Sequence, residues 1–255
     1  MTSPYIETLP QPLDILGVKV SPFRSYEHAI GCLRQRIASG GQSFCVAINP
    51  EKVYRALSEP ELRIALAQAE IAICDSIGIA VAARILYGKK LARCTGIDLF
   101  EHLISAAAEE GWRVFLLGAS EEANRSAAEN LAHKYPRLVI AGRHSGFFSA
   151  TEAILEQINA SSADLLFVAM GSPRQEFWIT KNRARLNVKL CMGVGGTFDI
   201  LSGLAPRAPA VFRRSGTEFL YRLITTPGRW RRQACYPIFI LKVIKEGLAR
   251  ANTWA

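Results

Sequence analysis

The stretch LLFVAMGSPRQEFWITKNRARLNVKLCMGVGGTFD, residues 165–199, decides the fold class of this chain. Its apolar runs at Leu165–Met170 and Lys189–Met192 are typical of short buried strands, and the pattern of Arg174–Asn182 between them is helical. A connection that contains a helix can carry the chain back across the sheet, so that the second strand pairs in parallel with the first. The stretch therefore predicts a unit of strand, helix and strand from a parallel sheet.

The same alternation continues through the preceding part of the chain. Further strands are predicted at Ile15–Val20, Ser43–Ile48, Ile71–Cys74, Arg113–Leu117 and Leu138–Ala141. Further helices are predicted at Tyr26–Ala38, Glu61–Ala69, Ile97–Glu110, Glu121–Lys134 and Thr151–Ala160. We therefore predict an α/β, Rossmann-like fold with a mainly parallel sheet and helices on both faces.

The chain changes character near residue 204. Pro206 and Pro209 interrupt the helical patterns, and from Ala205 onward ten Lys and Arg residues face only two acidic residues. Nearly all of the net charge of +9 thus belongs to this last segment. We predict a Rossmann-like catalytic domain at residues 1–204 and a basic, amphipathic helical appendage at residues 205–255. Such an appendage indicates an anionic partner, either a membrane surface, a phosphate-bearing ligand or nucleic acid.

The composition argues against several classes of protein. A hydrophobic content of 49% is enough for a buried core and is not typical of a disordered chain. The six cysteines form no CxxC pair and no cluster at metal-ligand spacing, so we expect reduced thiols and no metal site. No apolar run reaches the roughly 18 residues of a membrane span, and the first residues lack the features of a secretory signal. We therefore expect a protein that is neither exported nor membrane-spanning.

Several predicted strands run directly into a helix start, as in INPEKV, GSPRQE and GVGGTFD. In open α/β sheets ligands bind at this edge, because unpaired N–H groups and the helix dipole favour phosphate there. Gly195 and Gly196 have no side chains to keep a phosphate or a sugar away from the backbone. Their motif lacks the full GxGxxG spacing, so a simple tight turn remains the alternative.

Four side chains close to these turns are candidates for chemistry. Asp75 directly follows an apolar strand, where it serves either as a general base or as a helix N-cap. Asn49 and Gln175 lie at predicted helix starts, so each has a structural role as the alternative to ligand binding. Ser172 is expected to cap the second of these helices. Arg93 precedes a glycine turn and is either a cation of the site or a solvated surface residue.

An ordered series of motifs covers the chain from about Asp14 to Gln233. The motifs are INPEKV, ICDSIGIAVAARILYG, RCTGIDLF, VFLLGAS, LFVAMGSPRQEFWI, GVGGTFDILSG, RAPAVFRRSGTEFLYRL and PGRWRRQ. In this order they resemble the WecG/TagA/CpsF family, glycosyltransferase family 26. The resemblance implies that Asp75 is the catalytic base and that Asn49, Arg93 and Gln175 belong to the active site. It also implies arginines that the appendage supplies to the substrates, at Arg214, Arg222, Arg229, Arg231 and Arg232.

Two positions depart from the pattern of the family. Many relatives have glycine where this chain has Ser76, and threonine where it has Ala47. These departures leave the assignment of the base intact. They weaken any transfer of donor or acceptor specificity from the family to this chain.

The resemblance implies an inverting glycosyltransferase of cell-surface polysaccharide synthesis. It would move a hexose or N-acetylhexosamine from a UDP-sugar to a polyprenyl-diphosphate-linked sugar. The expected partners are these two substrates and an anionic membrane surface, without nucleic acid, and a homo-oligomer is left open. No DxD pair is present to hold Mg²⁺ or Mn²⁺, so we expect no cofactor, with arginines and helix N-termini stabilising the leaving group.

The same interpretation places the enzyme in the cytoplasm, peripherally associated with the inner face of the cell membrane. Aromatic side chains of the appendage suit the lipid interface, namely Trp230, Tyr236 and Phe239. The alternative is that the helices of the appendage simply pack on the body as core.

The sequence is also compatible with two other functions. An NAD(P)-dependent sugar-nucleotide oxidoreductase or epimerase needs a glycine fingerprint near the first strand, where residues 14–25 contain only Gly17. A basic nucleic-acid-binding protein could use the arginines and aromatic residues of the appendage. In that case the turns between the strand ends and the helix starts would have no function.

Overall fold

A computed structural model describes residues 8–225 and 234–253, except for the side chains of Arg222 and Thr253. The described strands are β1 (Leu13–Ile15), β2 (Val18–Val20), β3 (Ser43–Ile48), β4 (Ile71–Cys74), β5 (Arg113–Gly118), β6 (Val139–His144), β7 (Leu165–Ala169) and β8 (Leu190–Gly193). Within this part of the chain, six strands form one parallel sheet in the order β4-β3-β8-β7-β5-β6. The prediction of a mainly parallel sheet is confirmed.

Helices cover both faces of this sheet. The α-helices of the described residues are α1 (Tyr26–Ala38), α2 (Pro50–Ala56), α3 (Pro60–Ala67), α4 (Ile77–Tyr87), α5 (Gly96–Glu110), α6 (Glu121–Lys134), α7 (Thr151–Ala160), α8 (Arg174–Asn182), α9 (Thr197–Leu201), α10 (Ala210–Ser215), α11 (Glu218–Thr225) and a C-terminal helix, Cys235–Thr253. The predicted bounds of β3, β4, α1, α6, α7 and α8 are confirmed to the residue.

Alternate residues of each central strand point into two separate cores. Along β3, Phe44 and Val46 belong to the core beneath α2, α3, α4, α7 and α8. Cys45 and Ala47 belong to the core beneath α1, α5, α6 and α9. Because a strand of this kind is buried on both faces, it reads as a continuous apolar run, which is why the sequence pattern located it well.

The chain before α1 differs from the prediction of one strand at Ile15–Val20. It forms an antiparallel hairpin of β1 and β2, because Leu16 and Gly17 take positive φ angles of 52° and 86° and reverse the chain. The Asp14 carboxylate accepts a hydrogen bond from the N–H of Gly17 at 2.7 Å and stabilises this turn. The hairpin leads to the edge of the sheet, where the N–H of Ser21 donates to the carbonyl of Ala72, the second residue of β4.

The C-terminal helix packs against α2 and α4 of the body. Phe239 and Val243 are both 2% exposed and belong to the core on that face. The expectation that Phe239 lies at a lipid interface is therefore wrong, because the side chain is covered by the protein itself. Gly247 allows close approach, since a Cβ there would lie 2.9 Å from a methyl carbon of Ile85. No helix of the described residues has the length and apolarity needed to cross a bilayer.

Replacement of Phe239 by Ala should loosen the C-terminal helix. Removal of a fully buried phenylalanine side chain costs about 3–5 kcal/mol, through lost burial and the cavity left behind. Native-state amide hydrogen exchange should show the free energy of opening of this helix falling by that amount. Ile240→Ala is the matched control, because Ile240 is 50% exposed on the same helix and its loss should cost about 0.5 kcal/mol. Equal losses in the two variants would contradict the packing described above.

Candidate active site

A cleft of about 350 Å³ opens where the carboxyl ends of β4, β3, β8 and β7 meet. Its volume is within the range of small-molecule sites, towards the lower end. Each of the contributing strands leads into a helix, so polar groups from several loops converge. The predicted site residues of the catalytic domain that line this cleft are Asn49, Asp75, Arg93, Gln175, Gly195 and Gly196.

Asp75 directly follows β4 and is half-buried in the wall of the cleft. Its Oδ1 atom accepts a hydrogen bond of 2.7 Å from the N–H of Gly96, the first residue of α5. The N-cap of α4 is Ser76, whose hydroxyl accepts from the N–H of Ile79, so Asp75 is not the helix cap. Within residues 8–225 and 234–253, its Oδ2 atom has no hydrogen-bond or ion-pair partner. The carboxylate is thus oriented through one oxygen and keeps the other available.

Gly96 is required for this arrangement. A Cβ at this position would lie 3.2 Å from the Cβ of Ala47, which is tighter than ordinary packing. The α5 helix is capped just before it by Thr95, whose hydroxyl accepts from the N–H of Asp98. The start of α5 is therefore fixed from both sides, and the N–H that orients Asp75 is fixed with it.

Asn49 combines the two roles that the sequence left open. Its Oδ1 atom accepts a hydrogen bond of 2.9 Å from the N–H of Lys52, so it is the N-cap of α2. Its side chain also lines the cleft. Among the described residues nothing accepts a hydrogen bond from its Nδ2 atom, which leaves an amide donor at the site.

Gln175 lies in the floor of the cleft and is 2% exposed. Its Oε1 atom accepts from the N–H of Gly195 at 2.9 Å, and its Nε2 atom donates to Glu176 at 3.0 Å. Gly193 must lack a side chain here, because a Cβ would lie 2.5 Å from that Nε2 atom. Both ends of the Gln175 amide are therefore engaged with the protein.

Sequence reasoning missed the ion pair beneath this glutamine. The Lys52 ammonium lies 2.8 Å from Glu176 Oε1 and donates at 2.8 Å to the carbonyl of Ala47, with side-chain exposures of 8% for Lys52 and 0% for Glu176. Burial alone would raise the pKa of Glu176, but the charge of Lys52 and several hydrogen bonds lower it. The available signal was the presence of charged residues, Lys52 in INPEKV and Glu176 in GSPRQE, in two motifs that begin helices at the same edge of the sheet.

The expected role of Ser172 as a helix cap is wrong. The α8 helix begins at Arg174 with Pro173 at its N-cap position, and no side chain caps it. A proline at the cap leaves the serine one residue too far from the helix for the usual capping bond.

The GVGG motif forms the tight strand-to-helix turn that was the simpler interpretation. Gly195 has a positive φ of 55°, which glycine adopts at low cost. Val194 directly follows β8, and its N–H donates to the carbonyl of Val168, so the start of the turn is held against the neighbouring strand β7. Its exposed side has no Cβ atoms at Gly195 and Gly196 and forms part of the cleft wall.

Arg93 is not a solvated surface residue. Its Nη1 atom lies 3.2 Å from the Glu218 carboxylate, and its Nη2 atom donates to the carbonyl of Arg213. Both partners belong to the appendage, so Arg93 joins the body to α10 and α11. The side chains of Arg93 and Glu218 are 21% and 14% exposed, which places the pair at the rim of the cleft.

A second ion pair joins the linker of the appendage to α5. Arg207 contacts Asp98 and lies 3.1 Å from Glu101. Burial opposes ionisation of Asp98, but a hydrogen bond from Thr95 and the charge of Arg207 lower its pKa. Asp98 also accepts from the Thr95 hydroxyl at 2.8 Å, so this contact leads directly to the start of α5 beside Asp75.

The appendage contributes part of the cleft wall. Phe219, Thr225 and Tyr236 line it together with Glu218. Arg214 is exposed at the end of α10 and is not among the lining residues. The side chain of Arg222, and all of Arg229, Arg231 and Arg232, lie outside the described residues. The roles implied for these arginines stay predictions.

Among the described residues, no three His, Cys, Asp or Glu side chains lie together in a way that could hold a metal ion. Near Asp75 the cleft combines the available Oδ2 atom of that residue with an amide donor, a glycine turn and an arginine. Such a set can accept a proton from a hydroxyl group and bind an anionic group close by.

Comparison with known proteins identifies the class of chemistry. Residues 13–253 match the glycosyl transferase WecG/TagA/CpsF family. An N-acetylglucosaminyldiphosphoundecaprenol N-acetyl-beta-D-mannosaminyltransferase of Bacillus spizizenii is 36% identical over 211 residues, 82% of each chain. The enzyme of the same name from Bacillus subtilis is 32% identical over 199 residues, 78% of each chain. These matches favour a transferase over the oxidoreductase and nucleic-acid-binding alternatives, and the chain belongs to the WecG/TagA/CpsF family of glycosyltransferases.

Proposed function

We propose that this enzyme transfers an N-acetylhexosamine, in the first place N-acetylmannosamine, from its UDP derivative to a polyprenyl-diphosphate-linked N-acetylglucosamine. The observation that carries the proposal is the position of Asp75, oriented by Gly96 and with its Oδ2 atom available in the cleft. The names of the two Bacillus relatives supply the choice of sugars. The reaction would serve the synthesis of a cell-surface polysaccharide.

In the proposed reaction, an acceptor hydroxyl attacks the anomeric carbon of the donor while Asp75 accepts its proton. The new carbon–oxygen bond forms as the bond to UDP breaks on the opposite side, which inverts the anomeric configuration. General-base assistance of this kind is typically worth about 10²- to 10⁴-fold in rate. Inversion agrees with the beta product in the names of the relatives if the donor is α-linked.

We propose that the departing UDP is stabilised by fixed groups of the protein and without a metal ion. Arg93 and the glycine turn at Gly195 and Gly196 line the same cleft as Asp75. A guanidinium and backbone N–H groups that are held in place can stabilise developing negative charge without reorganising. Since Arg93 pairs with Glu218 in the structure, binding of a diphosphate would compete with that carboxylate for the guanidinium.

Access to a lipid-linked acceptor is proposed to come from an apolar surface beside the cleft, which we call the docking face. It consists of Ile77, Val81 and Ile85 on α4 and of Ile240, Ile244 and Leu248 on the C-terminal helix, which are 42–63% exposed. On each helix these residues recur every four positions and therefore share one stripe. The two helices meet where Gly247 approaches Ile85.

Charge and position both favour a membrane as the partner of the docking face. Lys242 and Lys245 are exposed on the C-terminal helix that carries half of this face. Basic residues near an anionic bilayer contribute about 1 kcal/mol each. Ile77 begins α4 directly after Ser76, which lines the cleft. A bilayer on this face would bring the acceptor close to Asp75, with the enzyme bound peripherally at the inner face of the cell membrane.

Asp75→Asn should abolish turnover while UDP still binds. Asparagine can accept the hydrogen bond from Gly96 but cannot take up the proton, so we expect a loss of about 10²- to 10⁴-fold. The assay measures UDP release from UDP-N-acetylmannosamine with a short-chain polyprenyl-diphosphate N-acetylglucosamine, and calorimetry measures UDP binding. Asp14→Asn is the matched control, because it makes the same change in the N-terminal hairpin and should leave activity unaltered. Full activity of Asp75→Asn would remove this residue from the mechanism.

Reversal of charge beside the docking face should weaken membrane binding. At about 1 kcal/mol for each lysine, K242E/K245E should bind vesicles that contain phosphatidylglycerol at least roughly 30-fold more weakly in a sedimentation assay. R125E/R137E makes the same change in net charge at exposed positions in and after α6, a helix of the opposite face of the sheet. If the two double variants lose binding equally, net charge alone drives the association and the docking face is wrongly assigned.

A further inference from the structure

We propose that the buried pair of Lys52 and Glu176 is a positioning device that holds the glycine turn in the conformation that binds the donor nucleotide. The inference rests on the proposed use of a UDP-sugar donor. It concerns residues that do not touch the reacting atoms and act through Gln175. If the pair has this role, its loss lowers the affinity for the donor, whereas loss of a contact that only stabilises the fold would not.

The pair joins three of the loops that surround the cleft. Lys52 bonds to the carbonyl of Ala47 near the end of β3 and to Glu176 at the start of α8, both at 2.8 Å. Glu176 then accepts from Gln175, whose Oε1 atom accepts from the N–H of Gly195 after β8. One chain of hydrogen bonds thus runs from β3 through α8 into the turn.

The position of the turn depends on this chain. Gly195 has a positive φ, and the side chain of Gln175 occupies the space beside Gly193. If Glu176 no longer held the Nε2 atom, the Gln175 amide could rotate and release the N–H of Gly195. A displacement of about 1 Å in a group that positions a substrate can lower activity by about 10²-fold. Loss of the pair should therefore weaken the binding of the donor and leave the binding of the acceptor unchanged.

A buried ion pair is a poor choice if stability is all that is required. Removal of two charges from water costs about as much as their attraction returns, and well-packed apolar residues of similar volume often stabilise a protein equally. What apolar residues cannot supply is a carboxylate that fixes the Gln175 amide in one orientation. This difference separates a positioning role from a structural one and makes it measurable.

Three variants test the proposal: Glu176→Met, Lys52→Met, and the double variant K52M/E176M. We expect each to raise the UDP dissociation constant in calorimetry and the KM for the donor by about 10- to 100-fold. The KM for the acceptor should stay unchanged. The single variants leave a buried charge unpaired and will lower the unfolding temperature. The double variant carries no unpaired charge and should recover stability close to that of the wild type, yet still bind UDP weakly.

Glu70→Gln supplies the matched control. Glu70 pairs with Arg183 at 2.7 Å and accepts from the N–H of Phe44 at the opposite end of β3. This variant also breaks a partly buried pair and should lower stability without changing the UDP dissociation constant. If K52M/E176M is stable and binds UDP as the wild type does, the positioning role is refuted. Wild-type enzyme that fails to bind UDP at all would instead refute the proposed donor.

Discussion

The burial of the central strands on both faces is the constraint on which the rest of the structure depends. Within β3, β7 and β8 nearly every side chain belongs to one of the two cores, so polar groups have no place along these strands. They can occur only where the strands end and backbone N–H groups still lack partners. For this reason Asn49 and Asp75 directly follow β3 and β4. Because the strands are parallel, their carboxyl ends meet at one edge of the sheet, and the cleft lies at that edge.

The sequence predicted best what depends on local pattern. Bounds such as Ser43–Ile48 and Arg174–Asn182 agree to the residue, because a doubly buried strand reads as a continuous apolar run and an amphipathic helix has a periodic pattern. The hairpin at Leu16 and Gly17 was missed because an apolar run that continues across a two-residue turn looks like one strand. The candidate site residues that line the cleft were predicted from strand ends and motifs. Their mutual contacts were not, since a pair such as Lys52 and Glu176 leaves no periodic trace.

The two kinds of ion pair at the cleft differ in ways that follow from their surroundings. Lys52 and Glu176 are almost completely buried, so exchange of one partner for a ligand would leave the other charge buried and unpaired. Arg93 and Glu218 lie at the rim, where water or an anion can replace either partner at modest cost. The first pair suits a fixed part of the framework. The second is a contact between body and appendage that the proposed binding of a diphosphate would exchange for a contact with the substrate.

The C-terminal helix is compatible with both of the interpretations that the sequence presented as alternatives. Its apolar residues are too many for one face, and the helical repeat places some on the side that faces the body and others on the opposite side. Phe239 and Val243 point into the core of the body, whereas Ile240, Ile244 and Leu248 point away from it. Packing against α2 and α4 therefore does not use up the apolar surface of the helix. Because the buried side fixes the orientation of the helix on the body, the exposed side is held at a defined angle to α4. If the proposed docking face binds a bilayer, this fixed angle would present the cleft to the lipid-linked acceptor in one orientation.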